Sequence, residues 1–157
     1  MKHLNSIGLD EKKSKQLAGN LNDLLANYSI FYQNVRGYHW SIKGNKFFEL
    51  HVKFEELYND LVLKIDEIAE RILTLGHAPN HKYSDYNIIS EITEKSEVAD
   101  GTKAVKDIVD SFKTIITLQR QYKSGADDAG DEGTAALMSD YIRSQEKLVW
   151  MYSAYLK

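Results

Sequence analysis

Residues 39–72, HWSIKGNKFFELHVKFEELYNDLVLKIDEIAERI, decide how this chain folds and where its chemistry lies. Leu50, Phe54, Leu57, Leu61, Ile65, Ile68 and Ile72 return at three- and four-residue spacing and lead on to Leu75. That period predicts a helix with one core-facing stripe. Gly76 and Pro79 should end it, and Lys43, Gly44 and Asn45 form a break before it, with Asn45 as the expected cap. At ~100° per residue, with His51 set at zero, the core stripe centres near about −85°. Glu49, Lys53, Glu56, Asp60, Lys64, Glu67 and Arg71 gather near ~180°, the face expected to be solvated. His51, Glu55, Asp66 and Glu70 fall between, at roughly 0° to 100°, among Phe48, Val52, Val62, Ala69 and Leu73. A mixed apolar and ionisable stripe beside the core stripe predicts a second burial surface, covered by another protein molecule.

The spacing says which molecule. His51 and Glu55 are i,i+4 neighbours, as are Asp66 and Glu70, so each pair can address one ion. Glu55 and Asp66 stand ~16 Å apart along the axis, too far to share a metal within one helix. The midpoint of 51 and 70 coincides with that of 55 and 66, between Asp60 and Leu61. Two copies packed antiparallel about a two-fold axis there would set His51 and Glu55 of one chain opposite Glu70 and Asp66 of the other. Two equivalent sites result, and His39 can complete each. Charged i,i+4 pairs are ordinarily solvated; the shared midpoint and the apolar neighbours set these apart. Imidazole with several carboxylates suits Fe(II), Zn(II) or Mn(II). A site inside the bundle would need Glu-x-x-His pairs, but Arg36, Phe48, Thr74 and Ala78 precede His39, His51, His77 and His81 by three.

Outward from this stretch, Leu17, Leu21, Leu24, Tyr28, Phe31 and Val35 predict a first helix, with Asp10 as cap and Glu11 in its first turn. The segment after Gly76 is a long connection in which SDYNIIS forms a short helix capped by Ser84. A third long helix is expected over 102–123, carrying Val105, Ile108, Val109, Phe112, Ile115, Ile116 and Leu118. The linker SGADDAGDEGT then leads to a fourth over 131–156, whose end LVWMYSAYL is apolar enough to be held on several sides. These elements make one all-α domain over residues 1–157: a four-helix bundle with a short extra helix in the crossover between helices two and three.

With 157 residues, 43% hydrophobic and 27% charged, the chain can bury a core without staples. A net charge of −3 argues against a strongly basic nucleic-acid module, and the absence of cysteine excludes disulfides and thiolate metal sites. The N-terminus lacks the apolar core of a signal peptide and no run is long enough to span a membrane, so a cytoplasmic protein is expected.

YHWSIKGNKFFELHVKFEELY, IDEIAERILTLG and the terminal KLVWMYSAYL resemble the Dps family, mini-ferritins that protect DNA in starved bacteria. The resemblance covers nearly the whole chain and implies a ferritin-like bundle. It further implies a hollow dodecameric shell that oxidises Fe(II), preferring hydrogen peroxide, and stores the ferric mineral inside. Carried over, His39, His51 and Glu55 come from one chain and Asp66 and Glu70 from its partner, forming a ferroxidase site. The family usually has aspartate where Glu55 stands. Trp40, beside His39, matches a tryptophan thought to intercept radicals; an aromatic packed at the interface explains it equally well.

Asp127, Asp128, Asp131 and Glu132 form an acidic group without a basic residue. Acids at a helix N-terminus explain it adequately, and the resemblance favours a three-fold pore drawing Fe(II) inward for Asp131 and Glu132 above all. His77 and His81 are read as non-functional. DNA binding through a lysine-rich tail is expected to be weak or absent, since only Lys2 precedes Asp10 while Lys12, Lys13 and Lys15 sit beside Asp10 and Glu11. A shell that binds zinc without redox chemistry would use the same ligands.

Overall fold

Asp10 opens the first helix as its position predicts, its carboxylate accepting the Lys13 amide at 2.9 Å. The computed structural model describes residues 3–157, so Lys2 lies outside the described residues. Five helices follow in order: α1 (Glu11–Ser41), α2 (Phe47–Thr74), the short α3 (Tyr83–Ile89), α4 (Gly101–Asp128) and α5 (Glu132–Tyr155). α1 pairs with α2 and α4 with α5, and the two hairpins meet where α1 lies along α4. Their apolar stripes bury Leu21, Leu24, Phe31, Val35, Phe54, Leu61, Ile68, Ile72, Ile108, Phe112 and Ile115 completely. The Phe31 and Phe112 rings meet edge to face at 5.0 Å, joining the hairpins.

At the centre of this apolar core lies a closed polar ring. Tyr28 Oη donates to Gln119 Oε1 at 2.5 Å, Gln119 Nε2 to Gln145 Oε1 at 2.7 Å, and Gln145 Nε2 back to Tyr28 Oη at 2.5 Å. Each heavy atom finds a partner, so burial of three polar groups is offset. The bundle interior at this level thus carries neutral hydrogen-bonding groups.

Three asparagines on α1 hold the long crossover. Asn22 donates to the Ala78 carbonyl and accepts the Asn80 amide; Asn34 does the same for Thr93 and Lys95. Asn27 Oδ1 accepts the Glu91 and Ile92 amides and the Ser90 hydroxyl. A connection that could not supply its own ladder therefore finds its backbone partners on the neighbouring helix.

α2 ends as expected. Gly76 has φ of 92°, the His77 amide reaches the Ile72 carbonyl and the Gly76 amide the Leu73 carbonyl, the pattern that closes a helix on a left-handed glycine. Several expectations need correction. Neither Asn45 nor Ser84 caps: Lys46 and Lys82 occupy the cap positions of α2 and α3 without side-chain bonds. α4 begins at Gly101 on an Asp100 cap and runs five residues past Lys123, because Tyr122 and Ala126 bury against the bundle and tertiary packing overrides the glycine at 125. The face expected to be solvated is so only in part: Glu67 is exposed, but Lys64 and Arg71 lean onto α5, with Lys64 over the Tyr141 ring at 5.4 Å. At the chain end Tyr152 alone of WMYSAY is buried, and Trp150 is 67% exposed.

Candidate metal centre

The end of α1 and the start of α2 bring His39 and His51 face to face, with ring centroids 3.7 Å apart and planes within 12°. Their order comes from reciprocal bonds to the backbone. His39 Nδ1 lies 2.6 Å from the His51 carbonyl oxygen, and His51 Nδ1 lies 2.8 Å from that of His39. A carbonyl only accepts, so each Nδ1 carries the hydrogen and, in the neutral ring, Nε2 keeps the lone pair. Such an arrangement is what orients a histidine ligand and fixes its tautomer. Phe47 stacks on His51 at 4.9 Å, and Tyr58 meets His39 edge-on at 5.4 Å, so the pair cannot tilt away. His39 is buried and His51 half-buried.

Glu55, Asp66 and Glu70 project from α2 into solvent. Asp66 and Glu70 share a hydrogen bond; that bond first, and the charge of Asp66 second, hold the Glu70 carboxyl above the usual carboxylate range. Among the described residues no three histidine or acidic side chains converge on one point within the chain. The structure therefore gathers His39 and His51 into one half and Asp66 and Glu70 into another, with Glu55 beside the first.

Between these halves the stripe predicted to need cover is bare. Phe48 is 78% exposed and Leu73 57%, and Val52 and Val62 are exposed as well. Phe48 and Leu73 are equidistant from the point between Asp60 and Leu61, as are Val52 and Ala69. These two apolar pairs thus obey the same symmetry as the ionisable ones, while Val62 mirrors onto Asn59. Trp40 is 61% exposed on the neighbouring turn of α1, its ring under the Arg36 guanidinium at 5.0 Å.

The acidic group at the α4–α5 corner divides. Asp127 and Asp128 belong to the last turn of α4 rather than to a loop, and both are exposed; Asp127 pairs with Lys123. Glu132 is exposed in the first turn of α5. Asp131 is the correction: at 1% exposure it caps α5 and pairs with Arg71, so it faces inward and cannot line an aqueous pore. Its position shortly before Gly133 and Thr134 marks the cap in the sequence; the Arg71 partner, 60 residues earlier, has no local signal.

Bundle and crossover helix define a ferritin-like protein, and comparison agrees: residues 18–157 match the ferritin-like domain family. The chain belongs to the Dps branch of that family. It is 42% identical to the DNA protection during starvation protein of Porphyromonas gingivalis over 154 residues, covering 98% of this chain and 97% of that one. The crystal structure of a Dps protein from Vibrio cholerae O1, described as one of the ferritin-like diiron-carboxylate proteins, is 56% identical and superposes with a TM-score of 0.97 over 98% of this chain and 97% of that chain. Dps from Staphylococcus aureus, at 31% identity, gives 0.88 over 91% and 96%. Among the described residues no helix is long and apolar enough to cross a membrane.

Proposed function

We propose that this protein is a ferroxidase and iron store, working in the cytoplasm as a dodecameric shell whose sites form between two-fold-related subunits. The observation that carries this reading is the reciprocally locked His39–His51 pair beside carboxylates that lack basic partners on an uncovered, self-complementary helix face. His39, His51 and Glu55 of one copy, with Asp66 and Glu70 of the second, would bind Fe(II) as substrate. The two Nε2 lone pairs donate to the metal, and the carboxylates neutralise it and favour the ferric product. Arrival of the cation relieves the repulsion between the neighbouring Asp66 and Glu70 carboxylates. Hydrogen peroxide then takes two electrons, one from each of two ferrous ions; its O–O bond breaks and, with two protons, it leaves as two waters.

Asp127, Asp128 and Glu132 supply the negative field that draws Fe(II) towards the shell. Trp40, exposed beside His39, either packs at the subunit contact or intercepts one-electron oxidants escaping the site. Zn(II) suits the same donors but has no electron to give, so it should compete with iron rather than replace it. DNA binding is weak: Lys12, Lys13 and Lys15 are exposed, but Asp10 and Glu11 stand beside them and Lys13 already reaches the Asp128 carbonyl. A salt-dependent gel shift at neutral pH would contradict that last statement.

The deciding experiment is anaerobic loading with Fe(II) followed by a peroxide pulse, in wild type and His51→Ala. Oxidation should be fast in the first and strongly slowed in the second; equal rates would remove the assigned site. Light scattering should report a large homo-oligomer, and a stable monomer would remove the interface on which the site depends.

A further inference from the structure

Asp131 is the one acidic residue among the described residues that is fully buried, and its environment links the α4–α5 corner to α2. Arg71 Nη2 donates to Asp131 Oδ1 at 2.7 Å and Arg71 Nε to Thr134 Oγ1 at 2.9 Å. The Thr134 hydroxyl and amide in turn donate to Asp131 Oδ2 and Oδ1. The guanidinium lies so close over Gly133 that a Cβ there would stand 2.7 to 2.9 Å from its atoms, so the glycine leaves room for it. Two bonds thus fix the Arg71 side chain of α2 in direction as well as depth, and two more between Thr134 and Asp131 hold its acceptors in place.

Arg71 directly follows Glu70, close to the end of α2 at Thr74. Glu70 itself is exposed, and its carbonyl accepts the Thr74 hydroxyl of its own helix, so its place relative to a second copy depends on the last turns of α2. Ile68 and Ile72 bury that segment, but the hydrophobic driving force is non-directional and favours no one rotation of the helix. The clamp supplies the direction.

We propose that Arg71 is a positioning residue for Glu70, holding the end of α2 in the rotation that aims Glu70 across the two-fold contact. The inference rests on the iron-oxidation reading above. Its test must separate positioning from stability. Arg71→Met with Asp131→Asn removes both charges, while the side-chain oxygen of the new amide still accepts the Thr134 N–H, so no buried charge is stranded.

Three readouts are compared with wild type: thermal midpoint, Zn(II) affinity by titration calorimetry without oxidant, and the dependence of peroxide-driven oxidation on Fe(II). The double variant should keep its thermal midpoint and most of kcat, but weaken Zn(II) binding and raise KM for Fe(II) about tenfold, as loss of an outer-shell partner does. Unchanged Zn(II) affinity and KM would overturn the proposal. If the double variant fails to assemble, Arg71→Lys decides: it keeps the pair with Asp131 but loses the bond to Thr134. A raised KM at a wild-type thermal midpoint supports positioning, and a wild-type KM refutes it. His51→Ala in the same assays keeps the two ideas apart. Wild-type behaviour of that variant ends the ferroxidase reading, whereas its failure beside a wild-type double variant ends only the clamp.

Discussion

Each histidine of the candidate centre owes its orientation to the other's backbone, and this makes the residues around them unequal. His51→Ala removes a ligand but leaves the carbonyl of residue 51, so His39 keeps its tautomer. Glu55 has no such support: it is exposed on α2 and one methylene longer than aspartate. A long unbraced carboxylate loses more rotamer freedom on binding and reaches less uniquely. Glu55→Asp should therefore tighten the weaker ion at each site by about threefold, roughly 0.6 kcal/mol. Titration calorimetry with Zn(II) would read this directly, and an affinity lowered by the shorter side chain would show that Glu55 already has its productive reach.

At the scale of elements, stripes are legible in the sequence and long-range partners are not. The end of α2, its core face and its bare second face follow from period and from Gly76, because those signals are local. The meeting of His39 with His51 is only suggested, since the break at Lys43–Asn45 leaves the angle of the α1–α2 turn open. What Asp131 does cannot be read, because its cation comes from another helix. Nor can the role of the three asparagines of α1, whose partners are backbone groups of the crossover; each looks like an ordinary polar residue on a helix. Asn27 is the most committed of them, buried and accepting three bonds. Asn27→Ala should cost about 1 kcal/mol, since the Glu91 amide loses its acceptor and the buried Ile92 amide keeps only Ser90 Oγ. Urea denaturation would measure the loss, and hydrogen exchange should speed up first at residues 91 and 92. Unchanged exchange there would mean that the crossover is held by its apolar contacts alone.

For the whole molecule, burial of tyrosines sets the alkaline limit. Desolvation pushes the Tyr122 hydroxyl up to about 12 and raises Tyr28, Tyr38, Tyr141 and Tyr152 further. In the unfolded chain these groups ionise near ~10. Their contribution is complete below that pH and is lost as pH rises through the folded values, because the unfolded state there binds fewer protons. Loss of helical circular dichroism should therefore coincide with ionisation of these five tyrosines above pH ~10, followed by NMR of their rings, and ionisation of any of the five before loss of helix would contradict the burial. Assembly offers a sharper test, because the symmetry of α2 pairs each position with a different one on the second copy. Phe48 and Leu73 are ~37 Å apart along one helix and cannot meet within a chain. Across a dyad between Asp60 and Leu61 they face each other twice. Phe48→Glu should place two carboxylates against apolar leucines, and Leu73→Lys two ammonium groups against apolar phenylalanines. Each alone should shift light scattering towards smaller species and slow iron oxidation, since half of every site is then missing. Combined in one chain, the two substitutions set each new carboxylate opposite a new ammonium group of the second copy and should restore both size and rate in part. Rescue of neither would place the dyad elsewhere on the molecule and with it the iron site.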